Sequence, residues 1–281
     1  MKILYSIKNN VDAEIQLFRF LKLKDEKDEI KIFSLGSSSY FDSDINLNYF
    51  FNGNEGSLNK CIKNKETLFL YDYIKKYSPD VIIFDGEYII PYIGNDLNIP
   101  TISYSVNDLY DFLIKVNSFF KNEKEHLFDN IKINCTLNLM PIMAELVNTY
   151  RTRYTVCTPL TFKGNKTESK NIHISCKSKK LVNNSNYFDY TKVNDQDYFD
   201  SLASSDYFVT EFLYTFIIDA FYNNKFIYCY KSLKEKYSIL YNLLENQNFA
   251  KLYNGEDSLV KKNILDFEIK KKNILEYIKE I

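Results

Sequence analysis

Between residues 206 and 230 the chain reads DYFVTEFLYTFIIDAFYNNKFIYCY: an apolar run, a helical stretch apolar on all sides and a second apolar run in unbroken succession. Asp206 to Glu211 carries Tyr, Phe and Val as a buried strand does, Phe212 to Tyr222 predicts a helix, and Lys225 to Tyr230 is β-rich again. Strand, helix and strand in that order predict a parallel βαβ unit. In open sheets of this kind ligands gather outside the carboxyl ends of the strands, where a helix N-terminus offers N–H groups to an anion such as a pyrophosphate. Glu211 and Asp219 bracket that turn and helix.

The first half keeps the same rhythm. Ile3 to Ile7 predicts a buried first strand, residues 11–24 a helix with Val11, Ile15, Phe18 and Leu21 on one face, and Glu29 to Leu35 a second strand ended by Gly36. After the polar, turn-rich residues 37–60, ETLFLYDYIKKY predicts a helix and PDVIIFDGE a short apolar strand closed by Asp85, Gly86 and Glu87. Residues 88–97 predict a helix and Pro100 to Tyr104 a strand. Residues 106–155 read as helical pieces broken near Pro141, TVCTPLTFKGNKTESK as a strand and a polar linker, and KNIHISCKS as the start of a second βαβ series. The domain boundary therefore falls near residue 160. Gln196 to Ser204 and residues 233–246 predict helices on either side of the 206–230 unit. Ile264, Ile269, Ile274 and Ile278 spread along a lysine-rich helix over 258–280. The pattern is that of an α/β chain with two Rossmann-like halves, 1–160 and 161–281.

Composition adjusts this picture in a few places. At 281 residues and 45% hydrophobic content, the chain is long enough for two domains with real cores. With 36 basic against 37 acidic residues it has no basic excess, so nucleic acid is not expected as a partner. The five cysteines, Cys61, Cys135, Cys157, Cys176 and Cys229, are odd in number and form no CxxC pair, which argues against a disulfide framework and a zinc site. Neither His126 nor His173 lies near a cysteine in sequence, and no metal is expected. MKILYSI passes directly into a charged helix and no apolar run reaches the roughly 20 residues that span a bilayer, so the expected location is the cytoplasm.

The spacing Glu211, seven residues, Asp219, Ala220 and a short link into the next strand resembles the nucleotide-sugar site of GT-B glycosyltransferases. The segment SPDVIIFDGEYIIPYIGNDLNIPTISYS, with MKILYSI before it, is similar to the N-terminal domain of a prokaryotic GT-B group related to glycosyltransferase family 28, which carries a PDxVISDxE strand, a helix and a gIPxIxI strand. The resemblance covers most of the chain apart from about residues 106–160. It implies two Rossmann-like domains facing a central cleft, acceptor in the first and nucleotide-diphosphate sugar in the second. It also implies transfer without a cofactor, because helix dipoles and backbone donors can stabilise the leaving diphosphate. In that family the second acidic residue holds the ribose hydroxyls and the first contacts the sugar or diphosphate in the retaining branch, roles that would fall to Asp219 and Glu211. One departure is the lack of glycine after Glu211, where Phe212, Leu213 and Tyr214 fill the turn.

Further candidates follow from strand ends. Where relatives carry Gly-His after the first strand, this chain has KNNVDAE, placing Glu14 at the position of the histidine with Asp12 beside it. Glu14 would be the general base of an inverting transfer, or Asp12 and Glu14 simply complement the helix dipole. Asp85 and Glu87 match the family's acidic pair and would orient the base or bind acceptor hydroxyls, or cap the turn. Asn107 and Asp108 are weaker members of the same rim. On the donor side stand Thr215 in the 211–215 turn, then Ser175, Lys177 and Ser178 after NIHIS, which could donate to a diphosphate or be a solvated turn. Glu235 and Lys236 follow the next strand. His173, alternating inward, reads as a core residue. The expected activity is glycosyl transfer to an unidentified glycan, lipid or small molecule, with peripheral membrane contact left open. A nucleotide-sugar hydrolase or epimerase, or a degenerate binder without turnover, are the alternatives on the same frame.

Overall fold

The computed structural model describes residues 1–8, 11–35, 45–47, 65–85, 89–104, 135–141, 155–167, 172–175, 185–188, 192–211, 213–230, 241–242, 244–260 and 272–281. It separates into two compact units. Unit 1 comprises Met1–Glu14, Leu21–Thr158 and Lys271–Ile281, and unit 2 comprises Ile15–Phe20 and Pro159–Lys270. This differs from a simple division at residue 160. Gln16 and Arg19 bond the backbone of Leu160, which gathers Ile15–Phe20 into unit 2. Thr158 donates its N–H to Lys272 and bridges Asn273, which gathers the C-terminus into unit 1.

Unit 1 is built on β1 (Lys2–Lys8), α1 (Val11–Leu23), β2 (Glu29–Leu35), β3 (Ile45–Leu47), α2 (Lys65–Tyr77), β4 (Val81–Phe84), α3 (Ile89–Leu97), β5 (Thr101–Tyr104), β6 (Leu137–Pro141) and β7 (Thr155–Cys157). Its strands pair in parallel in the order β3-β2-β1-β4-β5-β6-β7. The VIIF run of β4 is buried at every position, as a central strand covered on both faces requires. On one face Leu4, Phe33, Ile82 and Phe84 pack with Leu70 and Ile74 of α2 and Ile89, Ile90 and Ile93 of α3. Gly94 permits α3 to lie close, since a Cβ there would stand 2.3 Å from Thr101 Cγ2. The expectation of helical pieces around Pro141 is corrected: Leu137–Pro141 is a strand, with Pro141 at its last position. Among residues 37–60, Ile45–Leu47 adds a strand that its polar neighbours conceal.

Unit 2 carries β8 (Ile172–Ser175), β9 (Ser185–Phe188), α4 (Gln196–Ser204), β10 (Tyr207–Thr210), α5 (Tyr214–Tyr222), β11 (Ile227–Cys229) and β12 (Ala250–Leu252), with parallel order β12-β11-β10-β8-β9. The predicted βαβ unit is present as β10–α5–β11. Tyr214 to Phe221 are all buried, as expected of a helix that carries apolar residues on every side. His173 lies in the core: it stacks on Phe188, meets Tyr198 edge-on and bonds Ser201 Oγ at 3.0 Å.

The long C-terminal helix expected over 258–280 is also corrected. Glu256–Ser258 is one 3₁₀ turn, Leu259 is extended, and a short helix α6 (Ile274–Ile278) follows, started by a capping box between Asn273 and Glu276. Residues 261–271, like 105–134 and 231–240, lie outside the described residues. Among the described residues no helix is long and apolar enough to cross a membrane.

Candidate functional site

Each sheet has one point where the strand order reverses. In unit 1 the chain runs outward from β1 to β2 and β3, then returns to place β4 on the other side of β1. In unit 2 it runs from β8 to β9 and returns to place β10 on the other side of β8. Crossovers leave these two strand pairs on opposite faces and so open a crevice at their carboxyl ends, which is where ligands bind in doubly wound sheets.

At the β1/β4 crevice of unit 1 stand the start of α1 and the residue that follows β4. Asp12 and Glu14, in the first turn of α1, are 1% and 2% exposed, and Asp85, whose N–H bonds Ser6 O at 3.2 Å, is 2% exposed. Topology thus brings Glu14 and Asp85, 71 positions apart, to neighbouring strand ends. Burial pushes the Tyr5 hydroxyl well above the usual phenol range, and the charge of Asp85, then that of Cys157, raise it further. Tyr5 therefore stays neutral. Glu87, Asn107 and Asp108 lie outside the described residues.

At the β8/β10 crevice of unit 2 stand Ser175, which ends β8, Thr210, which ends β10, and Glu211, which follows it. Glu211 is half-buried, and its carbonyl accepts from Thr210 Oγ1 at 2.8 Å and from the Leu213 N–H at 2.7 Å. Leu213 is the N-cap of α5, extended at φ −105° and ψ 143°, and brings no side-chain acceptor to the helix. The positive end of the α5 dipole thus stands at the carboxyl end of β10, the side favourable to an anion. Thr215 is wholly buried in the first turn. Lys177, Ser178, Glu235 and Lys236 lie outside the described residues.

Asp219 is placed differently from its expected role. It is 0% exposed, and its two carboxylate oxygens accept from four donors. Oδ1 takes Arg19 Nη1 at 2.8 Å and Thr161 Oγ1 at 2.6 Å, while Oδ2 takes Arg19 Nη2 at 2.7 Å and Tyr198 Oη at 3.0 Å. A carboxylate offers about four acceptor positions, and here protein donors take all of them. The expectation that Asp219 accepts ribose hydroxyls is corrected on this ground: its lone pairs serve the interior of unit 2.

Sequence reasoning passed over Arg19. It is 0% exposed, forks onto Asp219, and donates further to Leu160 O at 2.9 Å, Asn194 Oδ1 at 3.1 Å and Val193 O at 3.3 Å. Its guanidinium also sits 5.2 Å from the Phe199 ring centroid. A signal was available. Arg19 is one of three arginines in a chain that otherwise uses lysine, and it stands inside the apolar run LFRFL, where only a planar fork with a buried partner is tolerated. Among the described residues no group of three or more His, Cys, Asp or Glu could hold a metal ion.

No protein-family model matches the chain, and no curated protein matches it. Solved structures do. Spinosyn forosaminyltransferase SpnP superposes with a TM-score of 0.54 at 9% identity, over 93% of this chain and 87% of that one. MurG of Acinetobacter baumannii superposes with a TM-score of 0.52 at 9% identity, over 92% and 87%. Spinosyn rhamnosyltransferase SpnG complexed with thymidine diphosphate superposes with a TM-score of 0.54 at 9% identity, over 92% and 87%. The chain has the GT-B fold of these glycosyltransferases.

Proposed function

We propose that the protein is a glycosyltransferase that takes a nucleotide-diphosphate sugar at the β8/β10 crevice of unit 2 and an acceptor at the β1/β4 crevice of unit 1. The observation that carries this reading is the start of α5. A helix N-terminus without a side-chain cap opens at the strand-order reversal of the second sheet, in a chain whose fold matches enzymes solved with thymidine diphosphate or UDP-L-rhamnose. The diphosphate would lie against the first turn of α5, beyond the carboxyl ends of β8 and β10. Glu14 would accept the proton of the acceptor hydroxyl, with Asp85 and Tyr5 shaping the same crevice. The withdrawal of Asp219 leaves ribose recognition to other groups.

The test is calorimetry with UDP and thymidine diphosphate, followed by turnover of the matching nucleotide sugars over an acceptor panel. Binding at micromolar concentration with sugar transfer supports the proposal. Release of free sugar alone assigns a hydrolase, binding without turnover assigns a degenerate binder, and no binding of either diphosphate refutes a donor site in unit 2.

A further inference from the structure

Helix α5 is apolar except along one line. Thr215, Asp219 and Asn223 follow one another at four-residue spacing, which stacks them on a single face from the first turn to the C-cap. All three are buried, at 0%, 0% and 4% exposure. Asp219 and Asn223 are held by the first residues of unit 2 after Pro159. Thr161 donates to Asp219 at 2.6 Å, Asn223 Nδ2 donates to Phe162 O at 3.2 Å, and the Gly164 N–H donates to Asn223 Oδ1 at 2.9 Å. Arg19 then clamps Asp219 to Leu160 O, Asn194 and Val193 O, and Tyr198 of α4 closes the remaining lone pair. The hydrophobic effect that buries this helix is non-directional, whereas a two-point guanidinium fork fixes both the height and the turn of the group it holds.

We propose that Arg19 is a positioning residue for the donor diphosphate: through its fork on Asp219 it fixes the axial height of α5, and with it the height of the helix N-terminus at the β8/β10 crevice. The inference rests on the reading that a nucleotide diphosphate binds there. Asp219 lies four residues beyond Thr215, about 6 Å down the helix axis at 1.5 Å per residue, so any shift at Asp219 passes along a rigid rod to the first turn. Hydrogen bonds from N–H to phosphate tolerate only a few tenths of an ångström before they weaken. Losing one charge-assisted bond to the diphosphate corresponds to about a ten- to hundredfold loss of affinity.

The experiment uses the full chain with Arg19→Gln and Asp219→Asn combined, which removes both charges together and keeps hydrogen-bonding groups at both places. Isothermal titration with UDP and with uridine separates contacts to the diphosphate from contacts to the nucleoside. The expected result is a folded protein whose UDP affinity falls at least about tenfold, with uridine affinity unchanged within about twofold. Equal weakening for both probes means general loosening and overturns the positioning role, as does parental affinity for both. Should the double variant fail to fold, Arg19→Lys keeps the charge but loses the fork, and the same selective loss for UDP is required of it. A parent protein that binds neither UDP nor thymidine diphosphate overturns the donor-site reading itself, and this inference with it; a parent that binds while the variants match it overturns the inference alone.

Discussion

Replacing Asp219 by Asn tests the central interaction of unit 2. The substitution is nearly isosteric, so packing stays and only the chemistry changes. Four donors now face an amide that has one acceptor oxygen and brings two N–H groups of its own, so Arg19 keeps a buried positive charge with no negative partner. Removing one partner of a buried pair costs about 3–5 kcal/mol, because the remaining charge stays desolvated. Both side chains are wholly buried, so no screening by solvent reduces this. For a unit of this size each kcal/mol lowers the melting temperature by roughly 3–5 °C, and the variant should melt about 10–20 °C below the parent. Differential scanning calorimetry is the assay, since it resolves a transition that moves for one unit alone. Arg19→Gln in the same chain removes the stranded charge and should restore more than half of the loss, a coupling that a cycle of single and double variants measures directly. An Asp219→Asn protein melting within about 2 °C of the parent would refute the buried pair.

Three further outcomes are expected. Burial, then the charge of Lys225, lowers the His173 pKa from 6.5 to about 3; the unfolded chain therefore binds a proton the folded one refuses, and stability should fall as pH drops from about 6.5 towards 3, by about 1.4 kcal/mol per pH unit. His173→Asn should flatten that part of a pH–stability curve measured by urea titration, and an unchanged slope would contradict a neutral core histidine. Gly164→Ala should lower stability by about 3 kcal/mol or more, since the added Cβ would meet the carbonyl oxygen of Phe199 at 1.8 Å, a backbone atom that cannot swing aside; a parental melting curve would show the segment packed otherwise. Glu14→Gln should leave donor affinity intact and lower kcat by about 10²–10⁴, while a parental rate would assign the base elsewhere, with Asp85→Asn the next variant to measure.

The sequence by itself determined the elements that periodicity and short-range chemistry control. Glu29–Leu35 and Gln196–Ser204 have the bounds that hydrophobic spacing predicts, and β10–α5–β11 pairs in parallel as strand, helix and strand in that order must. Some short strands escaped it. Ile45–Leu47, Ser185–Phe188 and Ala250–Leu252 carry too few positions to show a period, and they are strands because a neighbouring strand supplies their hydrogen bonds. At the candidate site the sequence identified which residues stand at strand ends, since turn chemistry is local: Asp85 and Glu211 are where it put them. It could not say what each side chain would face. The acid at 219 is legible as a spacing of eight from Glu211, yet its role turns on an arginine 200 positions away, and a carboxylate's acceptor capacity is spent on whichever donors the tertiary structure brings within 3 Å. That choice lies with packing, because burial makes an unmatched charge so costly that the folded chain must pair Arg19 before any ligand arrives.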